Sequence, residues 1–165
     1  MFQRQGKHAE AEATVASALK RNAEDPLRSD LLFDLGQHQM AQQKFAEAGQ
    51  TLDQLLREFK EYDQRADAVR HNALCKHRAE DYAASLALCR EFLAANAEKV
   101  SAADMMFLEG ENRFFLDQPK EAVVAYEAFI KAHDEHGQIP VARMRVGEAY
   151  FEGKEWDQAL SLIHI

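Results

Sequence analysis

The side chains in this 165-residue chain with the most chemical potential are two cysteines, seven histidines and an excess of carboxylates. Cys75 and Cys89 match no CxxC metal or redox spacing. Reduced, packed thiols are expected, and a disulfide stays open if they lie on neighbouring antiparallel helices. His133 and His136 stand in His133-Asp134-Glu135-His136-Gly137 and share about one helical turn, but a metal would need further ligands from elsewhere. The segment reads as a polar helix end that Gly137 terminates. His71 and His77 are six apart, about 240° round a helix, and do not converge. No HExxH, P-loop, GxSxG or GxGxxG pattern occurs, and no serine sits near a His–carboxylate pair. The expectation is a non-enzymatic chain with no cofactor and no metal.

Those side chains need a scaffold, and the composition says which kind. The chain is 47% hydrophobic and 29% charged, enough to bury a core and remain hydrated. Glycine (7) and proline (3) are scarce, and alanine (28) far outnumbers valine plus isoleucine (11). That mix favours helix over sheet. The formal charge of −8 repels phosphate, so nucleic acid is excluded as the main ligand. No stretch approaches the ~18 uncharged apolar residues that a bilayer span requires. The first residues lack the apolar core of a signal peptide.

Offset by 37 residues, the chain aligns with itself. Ala11, Ala48, Ser85, Ala122 and Ala159 form one small column, and Gly36, Ala73, Gly110 and Gly147 a second. Leu19, Leu56, Leu93 and Ile130 form an aliphatic column; Val15, Leu52, Cys89, Tyr126 and Ile163 a mostly apolar one; His8, Phe45, Tyr82, Pro119 and Trp156 one rich in rings. Five small residues in one register have a chance probability of about 10⁻³. Each unit reads as two helices whose small residues let the backbones approach while larger neighbours fill the space around. Helices are predicted over 7–23, 28–42, 44–61, 65–79, 81–97, 101–116, 119–135, 140–152 and 155–165. A single hairpin cannot cover its own apolar face, so hairpins stack.

The segment Val146-Gly147-Glu148-Ala149-Tyr150-Phe151-Glu152-Gly153-Lys154-Glu155-Trp156-Asp157-Gln158-Ala159-Leu160 resembles the tetratricopeptide repeat, and Gln5-Gly6-Lys7-His8-Ala9-Glu10-Ala11 resembles the turn of the same motif. The resemblance implies an all-α fold, a right-handed α-α superhelix of four to five stacked hairpins. It covers the chain as a single array, with units at about 1–27, 28–64, 65–101, 102–138 and 139–165. The first and last units are incomplete, and the array lacks a polar capping helix, so copies could associate through uncapped ends. Residues 160–165 also read like a translated sequencing adapter. The period of 37 exceeds the family's common 34, and longer repeats of this kind resemble those of bacterial cell-envelope assembly proteins, which leans the expected location toward the periplasm or envelope.

The resemblance implies a protein-interaction scaffold whose first helices line a concave groove; a recruiting arm of a larger enzyme is the alternative. By column the groove residues are Phe33, Gln37 and Met40; Arg70, Leu74, His77 and Arg78; Phe107, Glu111, Phe114 and Phe115; and Met144, Glu148 and Phe151. The expected ligand is a protein or peptide with a large apolar residue and a carboxylate, held between an aromatic and a basic lobe. Asp30, Asp67 and Asp104 recur at the period and read as acids favouring helix N-termini.

Overall fold

The computed structural model describes residues 2–21 and 26–153, with side chains from residue 7 onward. All regular structure among them is helical: α1 (Phe2–Arg21), α2 (Arg28–Ala41), α3 (Phe45–Glu58), α4 (Arg65–Arg78), α5 (Tyr82–Asn96), α6 (Ala102–Phe115), α7 (Pro119–Ala132) and α8 (Ile139–Glu152). The first helices α2, α4, α6 and α8 begin 37 residues apart, as do α3, α5 and α7. The ninth expected helix, with Trp156, Ala159, Ile163 and residues 160–165, lies outside the described residues. The chain divides into two compact units, Met1–Asp81 and Tyr82–Ile165.

In the first unit α1 packs on α2, α2 on α3 and α3 on α4. Its core gathers Leu32 and Phe33 from α2, Ala48, Leu52 and Leu55 from α3, and Ala68 and Cys75 from α4. A Cβ on Gly36 would stand 3.0 Å from the Leu52 side chain, the close backbone approach that the small column expects. Arginines at the starts of α2 and α4 reach back alike: Arg28 Nη1 donates to the Leu19 carbonyl at 3.5 Å and Arg65 Nη1 to the Leu56 carbonyl at 3.1 Å. Each satisfies a carbonyl at or near the preceding helix end.

The second unit repeats the order α5 on α6, α6 on α7, α7 on α8. Its core joins Ala103 and Phe107 to Ala122, Val123, Tyr126 and Phe129, then to Ile139, Ala142, Val146 and Ala149 of α8. Fully buried Asn112 donates to Ser85 Oγ at 2.8 Å, so the polar member of the small column has a partner. Pro119 opens α7, where its missing N–H costs no bond.

The hairpin turns share one geometry. Gln43, Glu80 and Asp117, again 37 apart, have φ of 62°, 63° and 56°. The next amide in each case (Lys44, Asp81, Gln118) donates to a carbonyl five residues back (Gln39, Lys76, Arg113). The left-handed residue itself donates three back, to Met40, His77 and Phe114. This is the Schellman closure of a helix C-terminus, here with a side-chain-bearing residue where glycine is usual.

Three expectations need correction. Helix α1 runs unbroken through Gly6, where the resemblance places a turn; a lone glycine costs a helix only about 1 kcal/mol and does not by itself break one. Helix α7 stops at Ala132, not 135, with His133 at φ −140° as its cap, so Gly137 does not terminate it. Helix α3 likewise ends at Glu58 rather than 61.

Candidate functional site

In the first unit, Phe33 is only 5% exposed. Its ring stacks on His71 with centroids 5.6 Å apart and meets Tyr62 at 5.9 Å. It is core, not lining for a ligand. Met40 packs partly buried against the same core, while Gln37 is exposed. Of the expected basic lobe, Arg70 Nη2 donates to His71 Nε2 at 3.1 Å and pairs with Asp67 at 3.5 Å. Lys76 is drawn to Asp53 at 2.6 Å, which Asn72 also reaches. Leu74 and His77 are half-buried and Arg78 exposed. Burial, reinforced by the Arg70 charge, holds the His71 imidazole below its ordinary pKa.

In the second unit Phe107 is 8% exposed and packs against Tyr126 and Phe129, so it too leaves the solvent-facing set. The rest of its group forms one cluster. Phe114 and Phe115 meet edge to face, and Phe115 stacks on Tyr82 at 4.8 Å. Arg145 lies over both phenylalanines, its guanidinium carbon 4.9 Å from the Phe114 centroid and 5.6 Å from that of Phe115. Its Nε donates to Glu111 at 2.9 Å and its Nη1 to Glu148 at 2.8 Å. Tyr126 also donates to Glu111; burial and that carboxylate push its hydroxyl pKa up. Met144 and Phe151 stand 53% and 61% exposed on α8.

Arg145 is the member of this cluster that the column comparison missed. Glu148 stands one period after Glu111, so the alignment pairs two acids and passes over the arginine one turn earlier that holds both. The i, i+3 charge pair Arg145–Glu148 was the available signal. A second feature was also missed: an apolar cleft of about 550 Å³ on the second-helix side, lined by Leu93, Met106, Val124, Ala125 and Ala128. Its charged wall, Glu109 and Arg113, is internally paired at 2.8 Å.

His136 approaches Asp104 at 3.5 Å and packs edge-on against Phe129, and His133 lies beside the same ring. Among the described residues, no group of three or more His, Cys, Asp or Glu is placed to hold a metal ion, and no helix is long and apolar enough to cross a membrane. Cys75 and Cys89 are free, buried thiols, both pushed up to about 12 by burial. The first-turn acids of the period, Asp30, Asp67 and Asp104, do open α2, α4 and α6.

Helical hairpins of constant length with small residues at their crossings are what the sequence model of the tetratricopeptide repeat describes, and it matches residues 2–66, 34–100 and 107–163. The chain belongs to the tetratricopeptide repeat family. Solved structures agree on the fold. A MamA protein superposes with a TM-score of 0.80 at 19% identity over 98% of this chain and 82% of that one. A tetratricopeptide repeat protein from Parabacteroides merdae gives 0.75 at 17% identity over 99% of this chain; this chain spans 60% of its length. The nearly identical TPR-like repeats of a kinesin-light-chain-like protein from Podosopora anserina give 0.73 at 18% identity, over 99% and 87%. No curated protein matches in sequence. At these identities the structures show the fold alone: an all-α helical repeat, a family architecture that serves generally as a protein-interaction scaffold.

Proposed function

We propose that the chain is a non-catalytic scaffold that holds a partner peptide or domain on the exposed faces of its first helices, chiefly on α8 and the adjoining end of α6. The observation that carries this is the double apolar character of α8. Ile139, Ala142, Val146 and Ala149 form its buried stripe. Val141, Met144 and Phe151 form a second stripe on the opposite side, 41%, 53% and 61% exposed. Inner helices of the stack are apolar on both sides, as α6 is; on α8 the second stripe faces solvent among the described residues, and an exposed apolar stripe supports an interaction surface. Phe115, 44% exposed, extends it from α6. These are four of the seven large hydrophobics exposed among the described residues, so the exposure is concentrated.

Expected site residues divide accordingly. Phe115, Met144, Glu148 and Phe151 form the contact surface, with Phe114, Glu111 and Arg145 beneath as its rigid floor. Within the first unit Gln37, Leu74, His77 and Arg78 are proposed as contacts of that unit by itself. The test is site-specific photo-crosslinking in the source organism. A crosslinker at Met144 captures a defined partner, whereas one at exposed Lys131 on α7 does not. Equal capture at both positions, or none at Met144, removes the proposal.

A further inference from the structure

The cleft between α5 and α7, floored by α6, is separate from the partner surface on α8, and we infer that it binds a single-chain aliphatic amphiphile with an anionic head. Both walls and the floor are described helices, and every lining residue falls between Leu93 and Ala128, so its opening does not depend on where the described chain stops. Its volume of about 550 Å³ lies in the range of small-molecule sites, about 300–1,000 Å³. Short connections join α5 to α6 and α6 to α7, so both outer helices run antiparallel to α6. Leu93, Ala97, Met106 and Ala128 therefore gather at the end beside the start of α6, with Val124 and Ala125 midway. Arg113, Lys120 and Glu121 gather at the opposite end, beside the turn from α6 to α7. The cleft is thus apolar at one end and charged at the other.

The charged end carries a positive excess. Arg113 donates to Glu109 through Nε and Nη2 at 3.1 and 2.8 Å, and Arg90, 58% exposed on α5, stands at ion-pair distance from the same carboxylate, 3.7 Å. By helical spacing Arg90 shares the face of α5 that presents Leu93 and Ala97. Two guanidiniums therefore share one carboxylate, while neighbouring Lys120 and Glu121 cancel. One period earlier the same three positions hold Asp53, Asn72 and Lys76, where a single acid matches a single cation at 2.6 Å. The apolar end also differs from its counterpart. Two periods earlier Arg28 and Glu58 pair at 3.2 Å where Ala102 and Ala132 stand here. Likewise α3 carries Gln50, Thr51 and Gln54 where α7 carries Val124, Ala125 and Ala128. An aliphatic chain has no polar group to satisfy and suits the apolar end, while an anionic head suits the Arg90 guanidinium. A cationic head would meet the excess with like charge.

Isothermal titration calorimetry of the whole chain with dodecanoate, kept below its micelle concentration, tests this. Saturable one-to-one binding is expected, at least tenfold weaker for dodecyltrimethylammonium, about fivefold weaker in Arg90→Gln, and weaker as salt is raised. Ala128→Trp fills the apolar end from an exposed position and should abolish binding. No saturable binding, equal binding of the cationic probe, or binding that ignores either variant overturns the inference. Both substitutions are at the surface, and matching helical circular dichroism of variant and parent shows that the fold is kept. Crosslinking at Met144 does not involve this cleft, so the scaffold reading and the amphiphile site fail separately.

Discussion

Gly110 lies so close to Tyr126 that a Cβ on it would stand 2.6 Å from the ring. That ring is fully buried and its hydroxyl is held by Glu111, so it cannot swing away. Gly110→Ala should therefore destabilise the second unit by about 2–3 kcal/mol, an overpacking cost larger than the gain in helix propensity. Gly36→Ala should fall within about 1 kcal/mol of neutral, because its contact is the flexible end of Leu52 at 3.0 Å and the propensity gain offsets the strain. Gly137→Ala, with nothing within 4 Å, is the control. Denaturant midpoints rank the three, and Gly110→Ala as mild as Gly36→Ala would refute the tight crossing.

The three hairpin turns make a second prediction. Gln43 and Glu80 adopt positive φ although both carry a Cβ. Gln43→Gly and Glu80→Gly should each raise stability, by up to about 1 kcal/mol. Asp117→Gly should gain less, since aspartate tolerates that region through local hydrogen bonds. Thermal melts of the three variants test the order; equal losses in all three would mean that the loosened unfolded chain outweighs the relieved strain.

What the sequence made legible, and what it hid, follows from range. Helix positions and small-residue crossings depend on periodic patterns, so Ala48, Ser85 and Ala122 emerge fully buried where the column put them. The side of a helix that an aromatic finally faces depends on its neighbours: Phe33 turned inward because His71 and Tyr62 offer it rings, and Phe107 because Phe129 does. Column alignment compares like positions, so it could not find Arg145, whose role comes from unlike positions on successive first helices. The turn at Gly6 failed because a single glycine in a short motif match does not outweigh the helical preference of the residues around it.

Arg145 should matter to folding as well as to recognition. Arg145→Met leaves Glu111, 12% exposed, facing Tyr126 and Glu148 without a cation. Partial exposure of the arginine tempers the loss of a buried pair, so about 2 kcal/mol is expected. Glu111→Gln together with Arg145→Met should recover most of that, because the unpaired charge goes with its partner. A double variant no better than Arg145→Met would show that the guanidinium acts through packing on Phe114 and Phe115 instead.

His71 gives the first unit a pH dependence of definite sign. Its folded pKa lies below the ordinary 6.5, because burial and then Arg70 oppose the charge. The unfolded chain takes up a proton before the folded one does, so stability is full above about 6.5 and falls as pH drops toward the folded value. His71→Phe keeps a ring against Phe33 and removes the titration. The stability difference between parent and variant should shift against the parent between about pH 7.5 and 5. A difference that stays constant over that range would show that His71 is not the titrating group.

The two thiols can report on the units separately. Cys75 is fully buried in the first and Cys89 in the second, and burial pushes each up to about 12. At neutral pH only about one part in 10⁵ of each is thiolate, the reactive form, and no reagent reaches it in the folded unit. Alkylation should therefore proceed only through opening of the surrounding helices, and its rate should rise with denaturant separately at each site. Peptide mapping after brief exposure to iodoacetamide would measure this. Rapid labelling of Cys89 in the absence of denaturant would mean that Ser85, Asn112 and their neighbours do not seal that core, against the hydrogen bond that joins them.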